Sequence, residues 1–163
     1  MITGLDHVVV LLGDIEAGVK AYELLLGRAP SWRSERDGAE TVLFTLDNMS
    51  LELMAPKGSS ETADRIRSAI KSSGEGLASL CFGVGDIAKM HRRLDRVALQ
   101  PDAVAEVESR DSGSGASLHW KRRSIANVCG TIRSCSVRNR CDRLISRHSM
   151  QPSRTKACAL RRT

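Results

Sequence analysis

Two stretches of this chain, 72 positions apart, carry the same local plan, and that repetition limits the possible folds more than any other feature. Leu5–Ile15 and Leu77–Ile87 each read as an apolar strand, a glycine and an aspartate that opens a helix. Leu5 aligns with Leu77, Gly13 with Gly85, Asp14 with Asp86, Ile15 with Ile87 and Tyr22 with Leu94. In each copy the β-branched run suits a strand buried on at least one face. The glycine breaks the run, and the aspartate side chain can accept from the first free N–H groups of a helix. Ile15, Val19, Tyr22 and Leu26 then recur at helical spacing to make one apolar face, and Gly27 with Pro30 stops the helix.

Strands are expected downstream at about 31–36, 41–47 and 50–55, with Asp37-Gly38 and Asp47-Asn48 as turns. A connecting helix over 60–71 turns Ala63, Ile66 and Ile70 inward. The second unit repeats the order, with a helix over 86–97 and strands over 103–110 and 116–122, and its final strand is left open. The chain is therefore an α+β protein of tandem β-α-β-β-β modules. Module one covers 1–58, the connecting helix 59–75 and module two 76–123. Only 3% of residues are aromatic, so the core rests on Leu, Val, Ile and Ala.

Charge divides the chain at 123. Up to Arg123, sixteen Lys and Arg face eighteen Asp and Glu, whereas residues 124–163 hold nine basic residues and a single acid, Asp142. The net charge of +6 thus belongs to an Arg-, Ser- and Cys-rich tail on a mildly acidic body. Four of the five cysteines also lie in the tail. Cys129, Cys135, Cys141 and His148 are four soft donors, but their spacing is wider than metal-ligand pairs normally adopt, and reduced unpaired thiols are the plainer reading. The tail has no aromatic residue for base stacking and no nucleic-acid motif, so nucleic-acid binding is not expected. No apolar run approaches the roughly 20 residues that span a bilayer, and the N-terminus lacks the basic start of a secretory signal. A cytoplasmic protein without membrane contact is expected.

A tandem β-α-β-β-β repeat opening on Leu5-Asp6-His7-Val8-Val9-Val10, with Leu51–Pro56 and Gly76–Leu94, resembles the vicinal-oxygen-chelate superfamily. Glyoxalase I, methylmalonyl-CoA epimerase, extradiol dioxygenases and bleomycin-resistance proteins belong to it. The resemblance covers about the first 123 residues and implies two modules curled into an open barrel-like cup around a divalent metal. It further implies that His7, on the first strand, and Glu52, on the last strand of module one, are metal ligands, with Glu52 also catalytic. Imidazole and carboxylate suit Zn, Ni, Mn, Fe or Co, and an open metal face polarises neighbouring substrate oxygens. Module two departs from this pattern. Ser79 stands at the position of His7, the equivalent of Glu52 falls near Ser124, and no glutamate occurs after Glu108.

Each candidate also has a plainer reading. His7 in an apolar strand is either a hydrogen-bonded core residue or a pocket ligand, and Glu52 between two leucines faces either the pocket or solvent. Ser79, His119 and Trp120 are expected to line the substrate pocket, with core or edge packing as the alternative for the last two. His91 reads as helix surface or boundary, Cys81 as a small apolar residue and Asp111–Gly115 as a hairpin connection. The resemblance favours a metal-dependent lyase, isomerase or epimerase acting on a small oxygenated metabolite, as a homodimer. The alternative is a metal-free protein that sequesters a small molecule.

The abrupt change of composition at 124 coincides with the place where the family needs a closing strand, and either a divergent terminus or an altered reading frame accounts for both. With an altered frame, translating the coding DNA past the Arg123 codon in the other two frames is expected to restore an apolar strand ending in glutamate. Absence of such a strand in both frames would refute that origin for the tail.

Overall fold

The computed structural model describes residues 1–129 and 132–139, with side chains described for 1–125 and for Arg138. Module one comprises β1 (Ile2–Leu11), α1 (Ile15–Leu26), β2 (Trp32–Arg36), β3 (Ala39–Thr45) and β4 (Ser50–Pro56). The connecting helix is α2 (Glu61–Ser73), and module two comprises β5 (Gly76–Val84), α3 (Ile87–Arg96), β6 (Ala105–Arg110), β7 (Ser117–Cys129) and β8 (Ile132–Asn139). One sheet holds all eight strands in the order β2-β3-β4-β1-β5-β8-β7-β6. Read outward from its middle, each half gives first strand, last strand, third and second. Within each half the first strand runs parallel to the last, and β1 meets β5 antiparallel. The tandem β-α-β-β-β reading is therefore the fold.

The strand left open in the sequence is β8, and β7 runs without a break through positions 123 and 124. The Cys129–Cys135–Cys141–His148 spacing lies outside the residues whose side chains are described.

Local chemistry sets the element ends. Asp14 caps α1 by accepting from the backbone N–H groups of Glu16 and Ala17, and Gly27 closes it at φ 61° in the left-handed region. Asp86 and Ser60 cap α3 and α2 in the same way, each through one N–H. Asp37 and Gly38 both have positive φ, 52° and 78°, as a two-residue hairpin turn demands. Because that turn is so short, Ala39 already pairs with Arg36, and β3 begins two residues before the expected Thr41.

The helices take one face of the sheet in each module. Ile15 and Val19 of α1 pack on Val10, Val42, Phe44, Leu51, Leu53 and Ala55, with Tyr22 and Leu26 at the margin. Phe44, Leu53 and Val42 are fully buried and contribute about 2 kcal/mol each. In module two, Ile87, Met90 and Leu94 of α3 pack on Val84 and Ile125. His91, midway along this helix, pairs with Asp95 at 3.1 Å and accepts from the buried Arg123 guanidinium, so it lies on the helix surface. The other face of the sheet is left for α2, whose Ile66, Ala69 and Ile70 meet Val9, Leu11, Met54 and Ala78.

The terminal strands β2 and β6 approach each other without forming a ladder. Trp32 Nε1 donates to Ser109 Oγ at 2.9 Å, the Arg33 N–H to Asp111 Oδ1 at 2.9 Å, and Arg36 Nη1 to the Glu108 carbonyl at 2.7 Å. The sheet is thereby held as a curled cup and not a closed barrel. A cavity of about 300 Å³ lies on this seam, lined by Ser34–Arg36 and Glu108–Arg110. No helix among the described residues is long and apolar enough to cross a membrane.

A Cβ at Gly38 would stand 1.9 Å from the Ser60 hydroxyl that caps α2. Gly38→Ala is expected to cost about 2 kcal/mol or more, from positive-φ strain and loss of the cap. Urea denaturation against wild type measures it.

Candidate functional site

Strand alternation decides which side chains leave the helical face. Val8 and Val10 on β1, and Leu51, Leu53 and Ala55 on β4, turn toward α1. His7, Val9 and Leu11, with Glu52 and Met54, therefore share the opposite face. The parallel β1–β4 ladder sets Val9 beside Glu52. Glu52 reaches back along it, so that its Oε2 lies 3.2 Å from His7 Nε2. The two residues singled out in module one thus converge, as neither the periodicity nor the spacing alone could ensure.

Three further residues complete the arrangement. The β1–β5 register steps from Leu5↔Phe82 to His7↔Cys81, which makes Asp6 the extra residue of a bulge. Asp6 is 7% exposed, and its Oδ2 accepts from His7 Nδ1 at 2.9 Å. The same oxygen accepts from Arg138 Nη1 on β8 at 3.2 Å. Arg138 in turn lies over the Trp120 ring, 4.4 Å from its centroid, a contact worth about 1 kcal/mol. Cys81, 2% exposed, stands directly opposite His7 in the β1–β5 ladder. A continuous chain of charge results, running Glu52–His7–Asp6–Arg138.

Burial opposes a charged His7, but the hydrogen bond to Asp6, the facing Cys81 side chain and the charge of Glu52 outweigh it. The His7 pKa is raised from 6.5 to about 10. In the metal-free protein at neutral pH the ring is an imidazolium held between two carboxylates.

The donor set of module one suits a divalent ion. Asp6 engages Nδ1, leaving Nε2 as the nitrogen turned to Glu52, which is how a carboxylate orients a ligating histidine. Neighbouring donors bonded at about 2.1 Å stand about 3 Å apart, close to the observed separation. The described residues also include a group of three, Asp6, His7 and Cys81, whose ligand atoms all lie within 4.8 Å of one another.

Module two offers less. Ser79, related to His7 by the repeat, pairs with Val9 across the β1–β5 ladder. The counterpart of Glu52 is Ser136 and not a residue near Ser124. Val9 faces Glu52, and its repeat mate Cys81 faces Ser136. The constant 72-residue offset fails here because module two carries a longer run before its last strand, including the thirteen-residue β7. On that strand Trp120 turns to Arg138, whereas its neighbour His119 is exposed and lies 3.7 Å from Glu108 on β6.

Asp6, Cys81 and Arg138 were not singled out as site residues from the sequence. Asp6 needed the bulge, Cys81 needed the ladder partner, and Arg138 sits among nine tail cations with nothing local to distinguish it.

Two modules curled about an imidazole–carboxylate pair define a protein of the vicinal-oxygen-chelate type. Residues 5–154 match the family described as glyoxalase-like domain, and the chain belongs to that family. No curated protein sequence matches it. Among solved structures, methylmalonyl-CoA epimerase from Mycobacterium tuberculosis is similar, with 22% identity, a TM-score of 0.66 and coverage of 86% of this chain and 90% of that one. A single-residue variant of the Streptomyces coelicolor epimerase, in complex with 2-nitronate-propionyl-CoA, gives 15% identity, a TM-score of 0.68 and coverage of 87% and 100%. Methylmalonyl-CoA epimerase in complex with methylmalonyl-CoA and NH4+ gives 16%, 0.66, 86% and 96%. At these identities the likeness establishes the fold.

Because the folded protein favours protonated His7, its contribution to stability is complete below about pH 6.5 and is lost as pH rises through about 10. Urea denaturation of metal-free protein from pH 6 to 10 should show wild type losing stability relative to His7→Gln. A constant difference across that range would contradict the raised pKa.

Proposed function

We propose that this chain is an isomerase-type enzyme of the glyoxalase-like family, moving a proton on the carbon next to a carbonyl of a small oxygenated acid or its thioester. The observation that carries this reading is the convergence of His7 Nε2 and Glu52 Oε2 at 3.2 Å on the face of the sheet away from α1. A divalent metal held by His7 and Glu52 would polarise two neighbouring substrate oxygens and so acidify the adjacent C–H bond. Asp6 keeps the His7 ring in place, and Arg138 balances the Asp6 charge. Glu52, 20% exposed, is the carboxylate positioned to take the proton and return it.

The number of bases narrows the reaction. Inversion by two bases needs a proton carrier on each side of the carbon, yet the repeat mates of His7 and Glu52 are Ser79 and Ser136. Glu52 without a carboxylate at the matching module-two position suits a proton shift on one face, as in an isomerase or lyase, better than a two-base epimerisation. We place the protein in the cytoplasm as a soluble enzyme.

A second reading rests on the same serines. Without module-two ligands of the family type, His7 remains an imidazolium between Asp6 and Glu52, and the cup holds a small molecule without metal.

Metal analysis and exchange of the acidic proton separate the two. Methylmalonyl-CoA, the molecule bound in one similar structure, is the first probe. With Zn, Ni, Mn or Co added, its α-proton is expected to exchange in D2O by NMR, and Glu52→Gln is expected to slow exchange at least about 100-fold. Exchange unchanged in Glu52→Gln would overturn the enzymatic assignment, and binding without metal or exchange would favour the second reading.

A further inference from the structure

The first strand of module two carries a serine where the family places a ligand, but two residues further along the same strand stands a thiol. Cys81 lies on the face shared with Ser79, because side chains two apart point the same way. It is the residue directly opposite His7 in the antiparallel β1–β5 ladder, where facing side chains come closest. The bulge at Asp6 brings a carboxylate to the same spot. Asp6, His7 and Cys81 are 7%, 12% and 2% exposed. Three different donor types thus meet in a place almost closed to water.

We propose that Cys81 supplies the module-two metal donor, so that an ion at His7 is bound by the thiolate and by Asp6, which then exchanges its hydrogen bond to the ring for the metal, the three offering ligand atoms within 4.8 Å of one another. A sulfur, nitrogen and oxygen set is borderline in softness. It selects Zn(II) or Co(II) over Mg(II) and Ca(II), which require oxygen cages. Arg138 on the Asp6 carboxylate offsets negative charge that the thiolate would add. The ladder that joins the two modules is then also the metal seat, with module one giving Asp6 and His7 and module two giving Cys81.

This inference rests on the metal-dependent reading above but makes a separate demand, because sulfur ligation has its own spectroscopic signature. The test uses the full chain with Cys129, Cys135, Cys141 and Cys158 replaced by serine, so that Cys81 is the remaining thiol. Titration with Co(II) is expected to produce the intense near-ultraviolet band of thiolate-to-cobalt charge transfer, saturating at one ion per chain. Cys81→Ser and Cys81→Ala are each expected to abolish the band and weaken Co(II) binding at least about tenfold. In the chain that keeps Cys81, Zn(II) is expected to slow its modification by a thiol reagent, a readout that needs no substitution at the buried position. Excess Mg(II) is expected neither to displace Co(II) nor to protect the thiol.

Co(II) bound without the band, or a band surviving in Cys81→Ser, overturns the proposal. If such band-free binding is lost in Glu52→Gln, the His7–Glu52 site stands without sulfur. A band retained in Glu52→Gln upholds the thiolate site and removes Glu52 from the ligand set. No Co(II) binding at all removes both.

Discussion

Everything at the centre of this protein depends on the antiparallel ladder between β1 and β5. It is the seam along which two β-α-β-β-β modules become one sheet, and it fixes the partner of every residue on the strand that carries His7. Its register sets Cys81 opposite His7, and its irregularity at Asp6 turns a second acidic or basic group into the same space. A slip of one residue would send His7 toward the helical face and leave an imidazole among Val10, Leu53 and Phe44. The large apolar cores on both faces resist that slip, because each fixes the parity of its strands.

The polar groups gathered there are costly to bury singly, and the protein meets the cost by pairing them in series. Glu52 faces His7, His7 holds Asp6, Asp6 receives Arg138, and Arg138 rests on Trp120. Positive and negative groups alternate along the chain, so each desolvated charge has an opposite neighbour. The series also crosses the module boundary, since Glu52, His7 and Asp6 come from the first half and Arg138 and Trp120 from the second. Closure of the cup and integrity of the site are therefore one structural event. The tied ends of the sheet, where Trp32, Arg33 and Arg36 meet Ser109, Asp111 and the Glu108 backbone, hold the same curvature from the opposite side.

Much of the architecture is readable from the chain without coordinates. The repeated strand, glycine, aspartate and helix start announces itself because N-cap chemistry and apolar periodicity are local. The same locality explains where the reading stopped. Strand β8 lacks an apolar alternation strong enough to declare it, and its place in the sheet is set by pairing with β5 and β7 rather than by its own composition. The position matching Glu52 was misplaced near Ser124 because a constant offset cannot follow loops and strands of different length. The ladder assigns it to Ser136. His119 and Trp120 were indistinguishable as neighbours in sequence. Only the pleat, with Arg138 on one side and Glu108 on the other, separates them.

While His7 and Glu52 came as a pair from the family resemblance, the sequence by itself determined the duplicated module, the helix caps and the hairpin at Asp37-Gly38. These follow from interactions among residues close in the chain, or from a pattern repeated along it. Only the tertiary structure decided that the pair touches, that Asp6 and Arg138 carry its charge onward, and that a cysteine of apolar appearance stands against the imidazole. Those facts depend on register, on a bulge and on strands far apart in sequence, and no local propensity encodes them.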